Sequence, residues 1–209
     1  MDLGLVRKTM NRLTFDEAED DLPVWTPDGE KIAFASLREE SGIYWKSADG
    51  AGNAERLAPM GDKILYSHTW SSDGKTLIVT SDKGSALLDI EYLSLEGDRE
   101  VKPLLYEHYQ EQYPRLSPDG RWIAYTSMET GQWEVYIRSF PDVNRMKRKV
   151  STDGGGEPAW SRDGRDLFYR IANPDSYQLM VVSVKTEPRF RLGTPRILFR
   201  NMDNKRTSY

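Results

Sequence analysis

The chain has 209 residues, a formal net charge of −4 and no cysteine. Disulfides and thiolate metal centres are thereby excluded, and the acidic balance offers no general attraction to nucleic acid or to an anionic membrane surface. Eleven Tyr, six Trp and six Phe beside eleven Pro and sixteen Gly favour many short strands and turns over helices. No apolar run has membrane-spanning length, and the opening MDLGLVRKTMNRLTF lacks the apolar stretch of a secretory signal. As written the chain reads as soluble and cytoplasmic, or as periplasmic or otherwise extracytoplasmic if it is a fragment of a larger parent.

One stretch organises the rest. At 114–127, PRLSPDGRWIAYTS runs into a Ser-Pro-Asp-Gly corner and leaves it as an apolar strand; PVWTPDGEKIAFAS at 23–36, HTWSSDGKTLIVTS at 68–81 and PAWSRDGRDLFYRI at 158–171 repeat it. The corner residues are Asp28-Gly29, Asp73-Gly74, Asp119-Gly120 and Asp163-Gly164, and the aspartates recur at intervals of 45, 46 and 44 residues. Asp supplies side-chain to backbone hydrogen bonds and Gly tolerates positive φ, so each pair reads as a structural hairpin turn. A repeat of this length built from four strands is the signature of a β-propeller blade.

In chain order, 1–15 reads as the tail of a partial blade, with strands at 3–7 and 11–15. The acidic connector 16–21 (DEAEDD) reads as a solvated loop, because it lacks the Asp-x-Asp-x-Asp-Gly spacing of a cation loop. Blade one (22–58) takes strands at 23–26, 31–36, 42–47 and 54–58; blade two (68–106) at 68–71, 76–81, 86–94 and 101–106. Blade three (113–151) takes 113–116, 122–127, 133–140 and 148–151; blade four (158–200) takes 158–160, 166–171, 178–186 and 196–200. The tail 201–209 is polar and reads as frayed. Consecutive apolar positions in the second strands, such as Leu77-Ile78-Val79, imply that both faces are covered. Trp25, Trp70, Leu116 and Trp160, each just before a turn, are the expected inter-blade wedges.

The pattern Pro-x-Trp-Ser/Thr-Pro-Asp-Gly-(x)₂-Ile-Ala-Phe/Tyr resembles the WD40-like PD40 repeat of TolB-type propellers. Arg12–Asp16, VSTDGGGEPAWSRDGRDLFYR at 150–170 and MVVSVKTEPRFRLGTPRILF at 180–199 resemble, more closely, the propeller half of bacterial serine/threonine protein kinases. The departures are His68 where the other three repeats carry Pro, and Ser72 and Arg162 in place of the turn Pro. The resemblance implies an all-β propeller of TolB-like type: four four-stranded blades plus extra N-terminal strands. The kinase motifs are absent, so phosphoryl transfer is not implied. Those propellers have about six blades, and four complete repeats leave end faces to cover. Closure as four blades, an open arc, or a homodimer through the exposed end blades would each answer this, and self-association buries the most apolar surface.

Candidate chemistry is thin. His68 and His108 are the two imidazoles, too few for a His-rich metal site, and no Gly-x-Ser-x-Gly elbow is present. No cofactor is expected. The glycine run 153–157 (DGGGE) lacks the Lys-Ser/Thr of a phosphate loop and reads as a flexible entrance to blade four. Arg145, Lys147, Arg148 and Lys149 form the one basic cluster, a solvated face or a patch for an acidic partner. The leading expectation is a non-enzymatic propeller that binds a protein or peptide through its loop face or its blade edges. A small-molecule sensor remnant of a kinase-type receptor and a lyase- or peptidase-associated propeller are the alternatives, and fold alone does not choose.

Overall fold

The computed structural model describes residues 12–84, 87–173 and 176–201. Their regular structure is entirely β, in four antiparallel meanders. The first sheet holds β1 (Asp20–Trp25), β2 (Lys31–Ser36), β3 (Gly42–Ser47) and β4 (Glu55–Pro59). The second holds β5 (Ile64–Trp70), β6 (Thr76–Asp82), β7 (Leu88–Ser94) and β8 (Val101–Leu105); the third holds β9 (Glu111–Leu116), β10 (Trp122–Ser127), β11 (Glu134–Ser139) and β12 (Lys147–Lys149). The fourth comprises β13 (Gly156–Trp160), β14 (Asp166–Asn173) and β15 (Ser176–Lys185), with its outer edge split between β16 (Arg191–Leu192) and β17 (Arg196–Asn201).

Strand alternation explains why second strands are apolar at successive positions. On the middle sheets, odd and even residues serve different neighbours. Leu77, Val79 and Leu93 pack on the first sheet, whereas Ile78 and Ile90 pack on the third. In the third sheet Ile123, Tyr125 and Tyr136 face the second, and Ala124, Val135 and Ile137 face the fourth. Three apolar interfaces therefore weld four sheets, each buried Leu or Ile contributing about 1.5–3 kcal/mol. Neighbouring first strands meet (β1 with β5, β5 with β9, β9 with β13) and line the channel side of the stack. The four sheets do not close into a ring among the described residues, so of the arrangements the repeat count left open they form an open arc.

Several expected strand bounds shift for one reason. Three of the first strands begin earlier than the prolines suggested and pass through them on β-bulges. Pairing jumps from Asp21 to Val24 in β1, from Gln112 to Arg115 in β9 and from Gly156 to Ala159 in β13. A bulge leaves the skipped residues out of the ladder, which is where a residue without an N–H is tolerated. The residue before each proline (Leu22, Tyr113, Glu157) has φ of 48°, 54° and 54°. In β5 the jump from Ser67 to Thr69 skips His68 instead.

Of the N-terminal expectations, the strand at 3–7 lies outside the described residues, and residues 12–15 of the expected strand at 11–15 form no strand. They lie against the free face of the first sheet, where the Lys46 ammonium sits 5.9 Å from the Phe15 ring and Arg38 covers Tyr44 at 4.2 Å while pairing with Asp20 at 3.0 Å. At the other end Ile197, Leu198 and Phe199 on β17 are exposed. Residues 202–209 lie outside the described residues. No described helix is long and apolar enough to cross a membrane.

Candidate functional site

Each repeat turn is a closed network in which a hydroxyl, not foreseen as a component, is central. Thr26 Oγ1 donates to Asp28 Oδ1 at 2.6 Å and accepts from the Lys31 N–H at 3.0 Å; Ser71, Ser117 and Ser161 repeat the pattern with Asp73, Asp119 and Asp163. Hydroxyl donation, helped by the backbone N–H two residues on, holds Asp28, Asp73 and Asp163 below the usual carboxylate range. Gly29, Gly74, Gly120 and Gly164 occupy φ near +70°, from 68° to 74°, where a Cβ is strained. The signal was available in sequence: a Ser or Thr stands two residues before every turn Asp. The turns also nest. A Cβ on Gly74 would meet Pro27, one on Gly120 would meet Ser72, and one on Gly164 would meet Pro118. Together they form a continuous rim at one end of the channel.

Inside that rim lies a cavity of about 580 Å³ that draws on the first strand of every sheet. Its walls include Trp25, Trp70, Arg115, Leu116, Trp160 and Arg162. Three of the four expected wedges are at or near burial, each against the preceding sheet. Trp70 is buried and stacks on Trp45 with ring centres 6.5 Å apart; Leu116 is buried in the second interface; Trp160 is half-buried in the third and donates its indole N–H to the Arg115 carbonyl at 3.1 Å. Trp25 departs from the expectation. No described sheet precedes β1, so its ring is 58% exposed at the mouth of the cavity.

His68, the residue that replaces the repeat proline, is buried beside this cavity. Its Nε2 is 2.8 Å from Thr80 Oγ1, and Arg115 Nη1 donates to its carbonyl at 2.9 Å. Burial, with the Arg115 charge beside it, pulls its pKa down to about 3, so the ring is neutral at physiological pH. His108 lies exposed between β8 and β9, and the two imidazoles are not brought together. Among the described residues no group of three His, Cys, Asp or Glu is placed to hold a metal ion.

The basic cluster is half neutralised within its own sheet. Lys147 pairs with Glu129 and lies over Tyr136 at 4.9 Å, and Lys149 pairs with Glu134 at 3.0 Å; Arg145 and Arg148 form no ion pair among the described residues. The glycine run corrects the expectation of a flexible entrance. The Gly155 N–H bonds the Trp133 carbonyl at 2.8 Å, Gly155 has φ +141°, and a Cβ there would lie 2.6 Å from Tyr169 Cδ2, which is fully buried. The glycines let the chain cross closely over the third interface. Gly155→Ala should therefore lower stability by about 2 kcal/mol or more, read as a lower urea midpoint, whereas a flexible loop would tolerate it within about 0.5 kcal/mol.

A stack of four-stranded meanders joined at their first strands, with an Asp-Gly turn at the rim of each, is an arc of a TolB-like β-propeller. Solved structures agree on that fold. Crystalline TolB from Acinetobacter baumannii superposes with a TM-score of 0.69 at 21% identity, over 89% of this chain and 45% of that one. Among curated proteins, the chain is 33% identical over 100 residues to the Tol-Pal system protein TolB of Alcanivorax borkumensis, covering 47% of this chain and 23% of the relative. It is 28% identical over 161 residues to the uncharacterized peptidase YuxL of Bacillus subtilis, covering 75% of this chain and 22% of that protein. The chain thus spans about a quarter of these two curated relatives and under half of the solved TolB. No protein-family model matches the sequence.

Proposed function

We propose that the chain is a non-enzymatic propeller scaffold that receives a protein or peptide partner at the turn-lined end of its channel. The observation that carries this is the cavity to which all four sheets contribute, with the exposed Trp25 ring at its mouth. An exposed indole beside a concave, partly apolar wall is the composition of a binding anchor. The non-enzymatic reading is supported by His68, whose imidazole bonds Thr80 and lies beside Arg115 with no carboxylate partner among the described residues; no acid orients the ring as a relay would need. The peptidase name of the Bacillus subtilis relative belongs to a protein of which this chain covers 22%.

Panning a random dodecapeptide phage library against the purified chain tests the reading. Enriched peptides should lose about tenfold in affinity with Trp25→Ala, the size expected for removing one aromatic anchor, while Arg145→Ala changes nothing. Failure to enrich any peptide sensitive to Trp25→Ala would sink it.

A further inference from the structure

Arg115 carries a charge into the cavity wall without a counter-ion. It stands half-buried on β9, and its Nη1 donates to the carbonyls of His68 at 2.9 Å and Pro114 at 3.1 Å. Its Nε and Nη2 have no protein partner among the described residues. No Asp or Glu lines the cavity, and burial alone perturbs the guanidinium. The neighbouring imidazole is neutral and bonded to Thr80, so it neither offsets nor adds charge. A second cation, Arg162, lines the same cavity, is exposed, and likewise forms no ion pair among the described residues. Arg162 occupies the turn position that Pro27 and Pro118 hold in their repeats, so the charge is a local substitution in the repeat rather than a feature of the turn.

A partly desolvated guanidinium without an acid is costly to the fold, and its planar fork is matched to a carboxylate. On a chain of net charge −4, two unpaired cations in one concavity are a local reversal of sign, complementary to an isolated anion rather than to a polyanion. We propose that this end of the channel is a carboxylate-recognition site, where an Asp or Glu side chain of a partner peptide engages the free edge of Arg115 under Arg162 while its flanking apolar residues cover Trp25 and Trp160. The proposal rests on the scaffold reading above and names the partner's chemistry.

The same peptide selection tests it. Enriched peptides should contain an Asp or Glu whose replacement by Asn or Gln weakens binding by about tenfold to a hundredfold, the range of a charge-assisted hydrogen-bonded contact. Arg115→Gln and Arg162→Gln should each weaken binding of the parent peptide and leave the amide peptide unaffected. Because Arg115 also ties β9 to β5, the exposed Arg162 and the peptide-side exchange keep the test free of any folding defect. Peptides that depend on Trp25 yet tolerate loss of their acidic residue would overturn the carboxylate site and leave the scaffold standing. If no peptide depends on Trp25, both readings fall.

Discussion

Glu111→Gln should abolish a loss of stability that the wild-type protein suffers as pH rises from neutrality to about 8. Glu111 opens β9, opposite Ser127, is fully buried, and has no hydrogen-bond partner for either carboxylate oxygen. Burial pushes its pKa from 4.5 up to about 8, against the opposing pull of Arg138 and Lys147 and with further upward pressure from Glu107 and Asp89. Below pH 4.5 both folded and unfolded chains hold the proton. Between 4.5 and 8 the unfolded chain has released it and the folded chain keeps it, so each pH unit favours unfolding by about 1.4 kcal/mol. Across the whole window the effect is on the order of 3–5 kcal/mol.

His68 works in the opposite sense, which decides where to measure. Its folded pKa, near 3, lies below its unfolded value of 6.5, so its contribution is complete above pH 6.5 and is lost as pH falls toward 3. From 4.5 to 6.5 the Glu111 and His68 slopes oppose one another, and from 6.5 to 8 only Glu111 of the two still contributes; Asp89, also raised by burial, acts in the same sense as Glu111. Urea midpoints at half-unit intervals from pH 5 to 8 should show a plateau and then a fall for the wild type. Glu111→Gln should show a rise to pH 6.5 and then a plateau. The buried amide adds a constant cost, which moves the curve without tilting it. Parallel curves would mean that Glu111 is ionised in the folded protein and finds a partner there.

The blades were legible because their information is local: Asp-Gly turns at regular spacing, and second strands apolar at both parities. The residues that distinguish this chain act across blades. Arg115 meets His68 from 47 residues away, and the only hint in the sequence was that His68 broke the proline pattern. Glu111, in the polar run EQY, gives no sign of burial, because the groups around it come from elsewhere in the chain: Asp89 on β7, Arg138 on β11 and Lys147 on β12. The bulges were hidden for a different reason. Proline reads as the end of a strand unless the partner strand is known to skip it, so the first strands were expected to be too short. The split outer edge of the fourth sheet, with β16 two residues long, is too brief to carry a periodicity.

The wedge tryptophans occupy equivalent repeat positions in unequal surroundings, and truncating them should separate position from packing. Trp70→Ala should cost about 3–5 kcal/mol, or about 10 °C in melting temperature for a chain of this size. The ring is 6% exposed, stacked on Trp45 at an interplanar angle of 28°, and embedded among residues of the first two sheets. Its indole N–H has no partner, so the loss is transfer and cavity energy with no hydrogen bond in the account. Trp160→Ala should fall below that because the ring is only half-buried, the smaller transfer loss outweighing the added loss of the bond to the Arg115 carbonyl. Trp25→Ala should stay within about 0.5 kcal/mol, because the ring has no preceding sheet to pack against among the described residues. A Trp25→Ala cost equal to that of Trp70→Ala, independent of protein concentration, would show that another part of the chain covers that ring in solution. Equal cost that fades on dilution would place a second copy over it. Either result would withdraw Trp25 as the open anchor of the channel mouth, so the stability series also tests the premise on which the peptide selection depends.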